Sequence, residues 1–529
     1  MKRCLFHIAP ALLLLFSSSL SAQNWLNTGM TESTRLMLEK RQLSDSSAGH
    51  TSVNHLYLNP ADSLAQKFSQ YKLEKENLYF SFYPSFYISA GMLQEKEFSS
   101  NNSIGFNTDL AYKAGNHQVA LHAGAEMFAG VQPYYLRLRM QQRQIIPGYI
   151  AQSRINRHWN VGWMPDVYLH YQSPWVLSLE TGMGKHVVGD GYRSLLLSDN
   201  SSPYPYASLY ADVDNILYRI NWMWLNNSTY QTFDPDPGKF ALVHYLSWNI
   251  HKRVSLGLFE SVVWTNEQRG GFEAQYLNPF IFFRPVEFSL GSSDNALLGF
   301  NISYNPFGKC VLYGQFVLDD LKVGELAMDI RHRLNPDDDS FDYGWFANKY
   351  GGQFGIKLYD AFGLNGLFVQ AEANAVRPFV YAHNNISQTY THQYQSLAHP
   401  LGANFVEMLG HINYQFSMYR LSFTGFYAIQ GESPTGTSMG ENIFYPVSDG
   451  PNMGYIPAST YGNEILQGIK RRWIYLESEF SWLAAPQGSL EIFARAFYRK
   501  SGSETLTTFT NYGIMLGART HPSQLSRYF

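Results

Sequence analysis

Residues 490–499 read Leu490-Glu491-Ile492-Phe493-Ala494-Arg495-Ala496-Phe497-Tyr498-Arg499, and their alternation decides the fold class. In an extended chain, successive side chains point to opposite faces. Leu490, Ile492, Ala494, Ala496 and Tyr498 therefore share one face, and Glu491, Phe493, Arg495, Phe497 and Arg499 share the other. An apolar face backed by one that carries charge suits a strand between lipid and a polar lumen, the pattern of a transmembrane β-barrel.

The same period of two recurs from Leu78 onward. Leu78, Phe80, Phe82, Phe86 and Ile88 alternate with Ser81, Ser85 and Ser89, and Ile104, Phe106, Leu110 and Tyr112 with Asn107, Asp109 and Lys113. Val254, Leu256 and Leu258 oppose Arg253, Ser255 and Gly257; Leu421, Phe423, Tyr427 and Ile429 oppose Arg420, Ser422, Thr424 and Gln430; Tyr512, Ile514, Leu516 and Ala518 form the last segment. Glu260 breaks the apolar phase of its strand, which predicts an interface position or a bulge, because a midplane charge on the lipid face costs a few kcal/mol. The segments number near eighteen, and bacterial barrels close with an even number, so eighteen strands are expected, with sixteen as the alternative. Longer connections fall near 129–160, 185–204, 265–280, 321–347, 376–404 and 431–469, and long loops of such barrels are extracellular.

The ends and the composition agree with export. Lys2 and Arg3 precede an apolar run from Leu5 to Phe16 and small residues from Ser17 to Ala22, the make-up of a secretory signal cleaved near Ala22. That run is too short for a spanning helix, which needs about 20 residues. Loss of residues 1–22 leaves 37 basic against 42 acidic residues, a charge of −5, which gives no reason to expect nucleic acid as a partner. Cys4 leaves with the signal and Cys310 remains alone, so no internal disulfide is available. Mean hydropathy is only −0.24 although 16% of residues are aromatic, a combination suited to a lipid face diluted by lumen residues and bordered by aromatic girdles. Residues 23–76 differ, with helical spacing of Leu64, Phe68 and Tyr71 after Asn59-Pro60 and a second, weaker helix over 34–42. The expected organisation is a signal peptide over 1–22, a helical periplasmic segment over 23–76 and an all-β, antiparallel transmembrane barrel over 77–529. The terminal Tyr528-Phe529 is a further, weaker sign of a chain assembled in the outer membrane.

The most distinctive stretch runs from Gly184 to Asn200, with Gly189-Asp190-Gly191-Tyr192-Arg193 at its centre. Together with Tyr276-Leu277-Asn278-Pro279, Arg284-Pro285-Val286-Glu287, Asp294-Asn295-Ala296-Leu297-Leu298-Gly299, Tyr313-Gly314-Gln315, Asp319-Asp320, Asn348-Lys349, Arg377-Pro378 and His399-Pro400-Leu401-Gly402-Ala403-Asn404, it resembles the Wzi-type capsule-assembly family of outer-membrane barrels, and within it the gliding-motility surface proteins. The resemblance implies an 18-stranded barrel with a periplasmic helical segment. For the capsule branch it implies a lectin that holds polysaccharide at the cell surface, and for the gliding branch an adhesin or motility component.

The residues themselves leave two readings of the loop. Gly189 and Gly191 permit a tight turn, Arg193 can fork onto a carboxylate, and Asp199 and Asn200 can exchange hydrogen bonds, so the loop could read a glycan or lock itself in place. The locking reading stands first, because charges inside barrels pair to fill the lumen. Lys185, Arg193, Asp199, Asn200, Tyr204 and Tyr206 are the candidate ligand-binding set; Pro203 and Pro205 would stiffen the two tyrosines, which otherwise belong to an interface girdle. Arg284, Glu287, Asp294, Asp319, Asp320, Lys349 and Arg377 are expected to form an inward network. The Gly189–Arg193 turn lacks the lysine and spacing of a phosphate loop. Asp337, Asp338, Asp339 and Asp342 fail the spacing of a calcium loop, and His383, His392 and His399 fit no zinc pattern. No catalytic motif, metal site or cofactor site is recognised, so enzyme activity is not expected. The expected partners are outer-membrane lipid, surface polysaccharide and, on the rival reading, other surface or motility proteins. A diffusion channel ranks third, since inward charges and the helical lead segment favour a filled lumen.

Overall fold

The alternating segments pair edge to edge until the last meets the first. In the computed structural model, the residues described are 36, 39, 40, 43, 50–53, 71–75, 77–94, 97–143, 145–150, 153–154, 159–227, 238–265, 273–279, 294–338, 340–445, 447, 459–485, 490–503 and 508–520. The expected signal peptide, the expected helix from Asn59 through Phe68, the Arg284 and Glu287 pair and the terminal Tyr528-Phe529 lie outside them, while Tyr71, expected on the same helical face, opens a β-strand instead, held by pairing with Phe82. Among the described residues, eighteen strands make the wall: β1 Leu78–Leu93, β2 Phe98–Ala114, β3 His117–Val131, β4 Trp159–Gln172, β5 Leu177–Gly184, β6 Tyr204–Val213, β7 Ile216–Leu225, β8 Lys239–His251, β9 Val254–Thr265, β10 Asn295–Tyr304, β11 Cys310–Asp320, β12 Lys349–Tyr359, β13 Leu367–Val376, β14 Phe405–Phe416, β15 Tyr419–Glu432, β16 Ile469–Ala485, β17 Leu490–Ser503 and β18 Phe509–Arg519. Each pairs antiparallel with the next, and β18 closes on β1 from Tyr87↔Arg519 to Leu93↔Gly513. The short strand Tyr71–Lys75 continues that edge beside the first residues of β1.

Burial along the strands is inverted relative to a water-soluble protein. On β17, Glu491, Phe493, Arg495 and Arg499 are buried while Ile492, Ala494 and Ala496 are exposed, as the alternation predicted. Ile104, Phe354, Met408, Ile514 and Leu516 likewise stand outward, whereas Asp109, Glu180, Glu407, Glu479 and Arg519 are buried inside. Apolar outside and polar inside is a protein whose surrounding solvent is lipid. Tyr414, Phe416, Tyr419 and Phe480 form a chain of neighbouring rings beside the turn Phe416–Tyr419, the position of an interfacial aromatic girdle.

Long and short connections segregate to opposite ends. Tight turns join β2 to β3, β6 to β7, β8 to β9 and β14 to β15, while the long connections lie after β3, β5, β7, β9, β11, β13 and β15. The described chain thus starts and finishes its barrel at the short-turn, periplasmic end. The connection over 226–238 was not anticipated, and the one after β9 extends to Asp294 rather than ending near 280. Among the described residues, two α-helices lie in the long connections, α1 Tyr134–Arg143 and α2 Val323–Leu334.

Glu260 occupies neither an interface nor a bulge. Its register with His244 and Leu298 is unbroken and it sits in the middle of β9, in the outward phase yet fully buried. An outward side chain so fully buried is covered by protein rather than by lipid.

Inside the wall, carboxylates are neutralised by neighbouring guanidinium groups. Glu479 receives Arg420 at 2.8 Å, Arg495 at 2.6 Å and Arg519 at 2.5 Å, and Glu491 receives Arg420 at 3.1 Å and Arg519 at 2.8 Å. Desolvation of each ion is offset by several charge-assisted bonds, without which burial of these groups would be prohibitive. Ile514→Arg, mid-strand on the outward face of β18, should cost about 2–4 kcal/mol in urea unfolding of the vesicle-inserted barrel, against about 0–1 kcal/mol for arginine in place of Phe416 at the girdle.

Candidate functional site

The 185–203 connection turns inward and fills the upper lumen. Its two sides are tied by a β-bridge between Val188 and Leu197, and Leu195, Leu196 and Leu197 are buried with Tyr204, Tyr245, Phe379, Tyr381 and Phe405 in one apolar cluster inside the barrel. Gln315 of β11 locks the turn by donating to the Val188 carbonyl at 3.0 Å and accepting from Leu195 N at 2.9 Å. Gly189 has φ 122°, and a Cβ there would lie 1.7 Å from Gln315 Nε2, so both conformation and space require glycine.

Two wall carboxylates hold the next residues. Glu372 of β13 accepts from Tyr192 N at 2.7 Å and Arg193 N at 3.1 Å, and a Cβ on Gly191 would lie 2.8 Å from it. Glu407 of β14 faces the Arg193 guanidinium at 3.4 Å and His399 Nε2 at 2.8 Å. Burial lowers His399 below the ordinary histidine range, with Glu407 opposing the shift. From the other side, Asp190 accepts from Thr51 at 2.6 Å and Asn301 at 2.9 Å. Ser52 presents its carbonyl to Gly189 N at 2.7 Å. The lead segment therefore reaches the middle of the lumen, and at the periplasmic end Leu36 packs on Val311, Tyr313, Tyr359 and Phe368 of the inner wall.

The predicted ligand-binding residues separate into two groups. Arg193, Tyr204 and Tyr206 are internal: Arg193 packs over the Tyr192 and Phe426 rings, Tyr206 donates to Glu180 at 2.9 Å, and the Tyr204 hydroxyl lies 3.3 Å from His186 Nδ1. Neither tyrosine presents a ring to solvent or to the lipid interface. Asp199 and Asn200 lie nearer the outer rim, and Lys185 is set among Asp199, Glu126 and Asp166. Burial pushes the Lys185 ammonium down, and Asp199 is the largest of the charges opposing this; Asp199 itself is exposed, and Asn200 donates to the Ser396 carbonyl at 2.9 Å. Asn200 thereby adjoins the small hairpin Thr391–Ser396, whose two central residues, Gln393 and Tyr394, have φ 47° and 54°.

That hairpin displays what the sequence reading missed. Tyr394 is 37% exposed and stacks on Phe444 at 5.8 Å, next to Tyr445 at 48% exposed. Aromatic rings that are partly exposed beside hydrogen-bonding side chains are suited to stacking on sugars. The sequence signal was weak because Tyr394 lies in a polar loop and meets Phe444 only through tertiary packing. Glu372 and Glu407 were legible in principle, each sitting on the polar phase of a strand.

The predicted inward network is partly dispersed. Lys349 lies 3.4 Å from Asp319, which also accepts from Tyr381 N at 2.7 Å. Arg377 lies 3.7 Å from Asp329 and donates to the Asn348 and Asn463 carbonyls. Asp320 accepts from Leu321 N, and Asp294 accepts from Tyr276 and Gln388 at the rim. Arg284 and Glu287 fall outside the described residues.

The sequence matches no protein-family model and no curated protein. Among solved structures, it is similar to Wzi of Escherichia coli, described as an outer-membrane protein involved in group 1 capsule assembly and a carbohydrate-binding β-barrel, with 13% identity over 93% of this chain and 99% of that one and a TM-score of 0.53. The fold is that of a Wzi-like barrel. The Pseudomonas aeruginosa barrels OccK1 and OprD are similar at 9% identity, covering 83% and 86% of this chain and 98% and 97% of theirs, with TM-scores of 0.45 and 0.41. The protein is an outer-membrane barrel.

Glu372→Ala should leave the Tyr192 and Arg193 amides without their acceptor, at about 1–3 kcal/mol for a buried unsatisfied group. The expected outcome is new protease cleavage within 185–203 while the barrel keeps its heat-modifiable gel migration. A second expectation concerns pH. Burial lowers His383 to about 4 and His392 to about 3, from 6.5. Both are neutral in the folded loop, so the unfolded chain binds protons first as pH falls. Their contribution to stability is full above about 6.5 and is lost as pH drops towards 4. The melting temperature should decline across that window, with a shallower decline in His392→Gln.

Proposed function

We propose that the protein is a non-catalytic attachment barrel that holds polysaccharide at the outer face of the outer membrane. The observation that carries this reading is the exposed Tyr394, stacked on the partly buried Phe444 in the hairpin that Asn200 joins, at the long-loop rim above a lumen packed with its own loops. Aromatic faces stack on the apolar face of sugar rings while carboxylate and amide groups fix their hydroxyls. The carbohydrate binding described for Wzi supports the reading, as does the signal peptide proposed over 1–22, which would direct export. A filled lumen argues against a diffusion channel.

A second reading, a gliding-motility or adhesin component with a protein partner, draws on α2. Val323, Ile330 and Leu334 share one stripe of that helix and are 73%, 53% and 75% exposed, a surface better suited to protein than to glycan.

The deciding experiment compares polysaccharide partition between cells and medium in a strain lacking the protein, its parent, and a strain carrying Tyr394→Ala with Asp199→Ala. Attachment predicts release into the medium in the deletion and in the double variant at equal barrel level. Unchanged partition in the deletion strain would sink the attachment reading and leave the partner-protein reading.

A further inference from the structure

On one side the barrel wall is not bare. Ile220, Phe240, Leu242, Val262, Trp264 and Ala296 all lie in the outward phase of β7–β10, yet each is buried, in one cluster with Tyr276. His244 and Glu260, paired across β8 and β9, are outward and fully buried as well. Among the described residues, the segment 273–279 with its Tyr276-Leu277-Asn278-Pro279 motif lies over this patch: Tyr276 joins the apolar cluster, and Pro279 meets the Tyr218 hydroxyl that also touches His244.

Its wall side is fastened by directed contacts. Trp222 Nε1 donates to the Tyr276 carbonyl at 2.8 Å, and the Tyr276 ring stacks on Trp264 at 3.9 Å. The Tyr218 hydroxyl donates to the Pro279 carbonyl at 2.9 Å and lies 2.6 Å from His244 Nδ1. Depth follows from register. Strands β7–β10 hold 10, 13, 12 and 10 residues, and about 9–11 tilted residues suffice to cross a bilayer. The Tyr218 hydroxyl that meets Pro279 also touches His244, which pairs with Ile220 in the middle of β7, whereas Tyr276 sits against Trp264 and Asp294 at the extracellular end, so the segment descends along the wall from the rim to mid-strand depth. Backbone at that depth is tolerated only when its polar groups are satisfied by protein, which the Trp222 and Tyr218 bonds do for two carbonyls. What the segment turns away from the wall is apolar: Leu277 is 56% exposed and Pro279 is exposed.

We propose that residues 273–279 are a membrane-embedded cover, with Leu277 and Pro279 contacting lipid acyl chains in place of the wall over β7–β10. The cover displaces lipid from that part of the wall and so lets a mid-strand position hold His244, which bare wall could not carry.

The test places an environment-sensitive fluorophore on Leu277→Cys in the full mature chain carrying Cys310→Ser, reconstituted in phosphatidylcholine vesicles. Leu516→Cys on the lipid face and Val323→Cys on α2 serve as references. The expected result is loss of emission with doxyl-labelled lipid equal to that at position 516, and no loss with aqueous iodide. Iodide quenching like that at position 323 would overturn the proposal by placing the cover in water. Protection from both quenchers would also overturn it, by showing that protein, such as a second copy, occupies the surface.

Discussion

The pairing of β18 with β1 is the constraint on which the rest depends. In lipid no water can satisfy an open strand edge, and each unpaired backbone group costs several kcal/mol. Closure from Tyr87↔Arg519 to Leu93↔Gly513 removes the edge. It also commits alternate residues of every strand to lipid and to the lumen, which is why an apolar outer face and a polar inner face appear together.

Once polar side chains point inward, they need partners, and the lumen supplies them in two ways. Around Glu479 and Glu491 the wall satisfies itself, with arginines from three different strands. Around Glu372 and Glu407 it uses another segment: the Gly189–Arg193 turn brings backbone amides and a guanidinium to those carboxylates. The need to pair inward charge therefore also positions the loop, and through Asn200 the loop supports the hairpin that displays Tyr394.

The outer wall obeys the same rule where it departs from alternation. His244 sits in the lipid phase, and the chain answers with a layer of its own whose carbonyls are bonded to Trp222 and Tyr218. An inward loop and an outward one thus solve one problem, the burial of polar groups on both surfaces of a single-layer sheet.

By itself, the sequence determined the barrel and the faces of its strands, because a period of two is local and recurs along the strands, as in Leu490–Arg499, and it narrowed the strand number to eighteen or sixteen, which closure of β18 on β1 decided. It also marked the 184–200 and Tyr276–Pro279 stretches as special without saying what they touch. Only tertiary structure decided that Arg193, Tyr204 and Tyr206 are internal, that Tyr394 meets Phe444 at the rim, and that Glu260 is buried in mid-strand rather than displaced to an interface. These outcomes depend on contacts between residues far apart in the chain, such as Arg193 with Glu407 and Tyr218 with Pro279. Whether a loop folds into the lumen, over the wall or outwards is set by which partners closure of the barrel brings within reach.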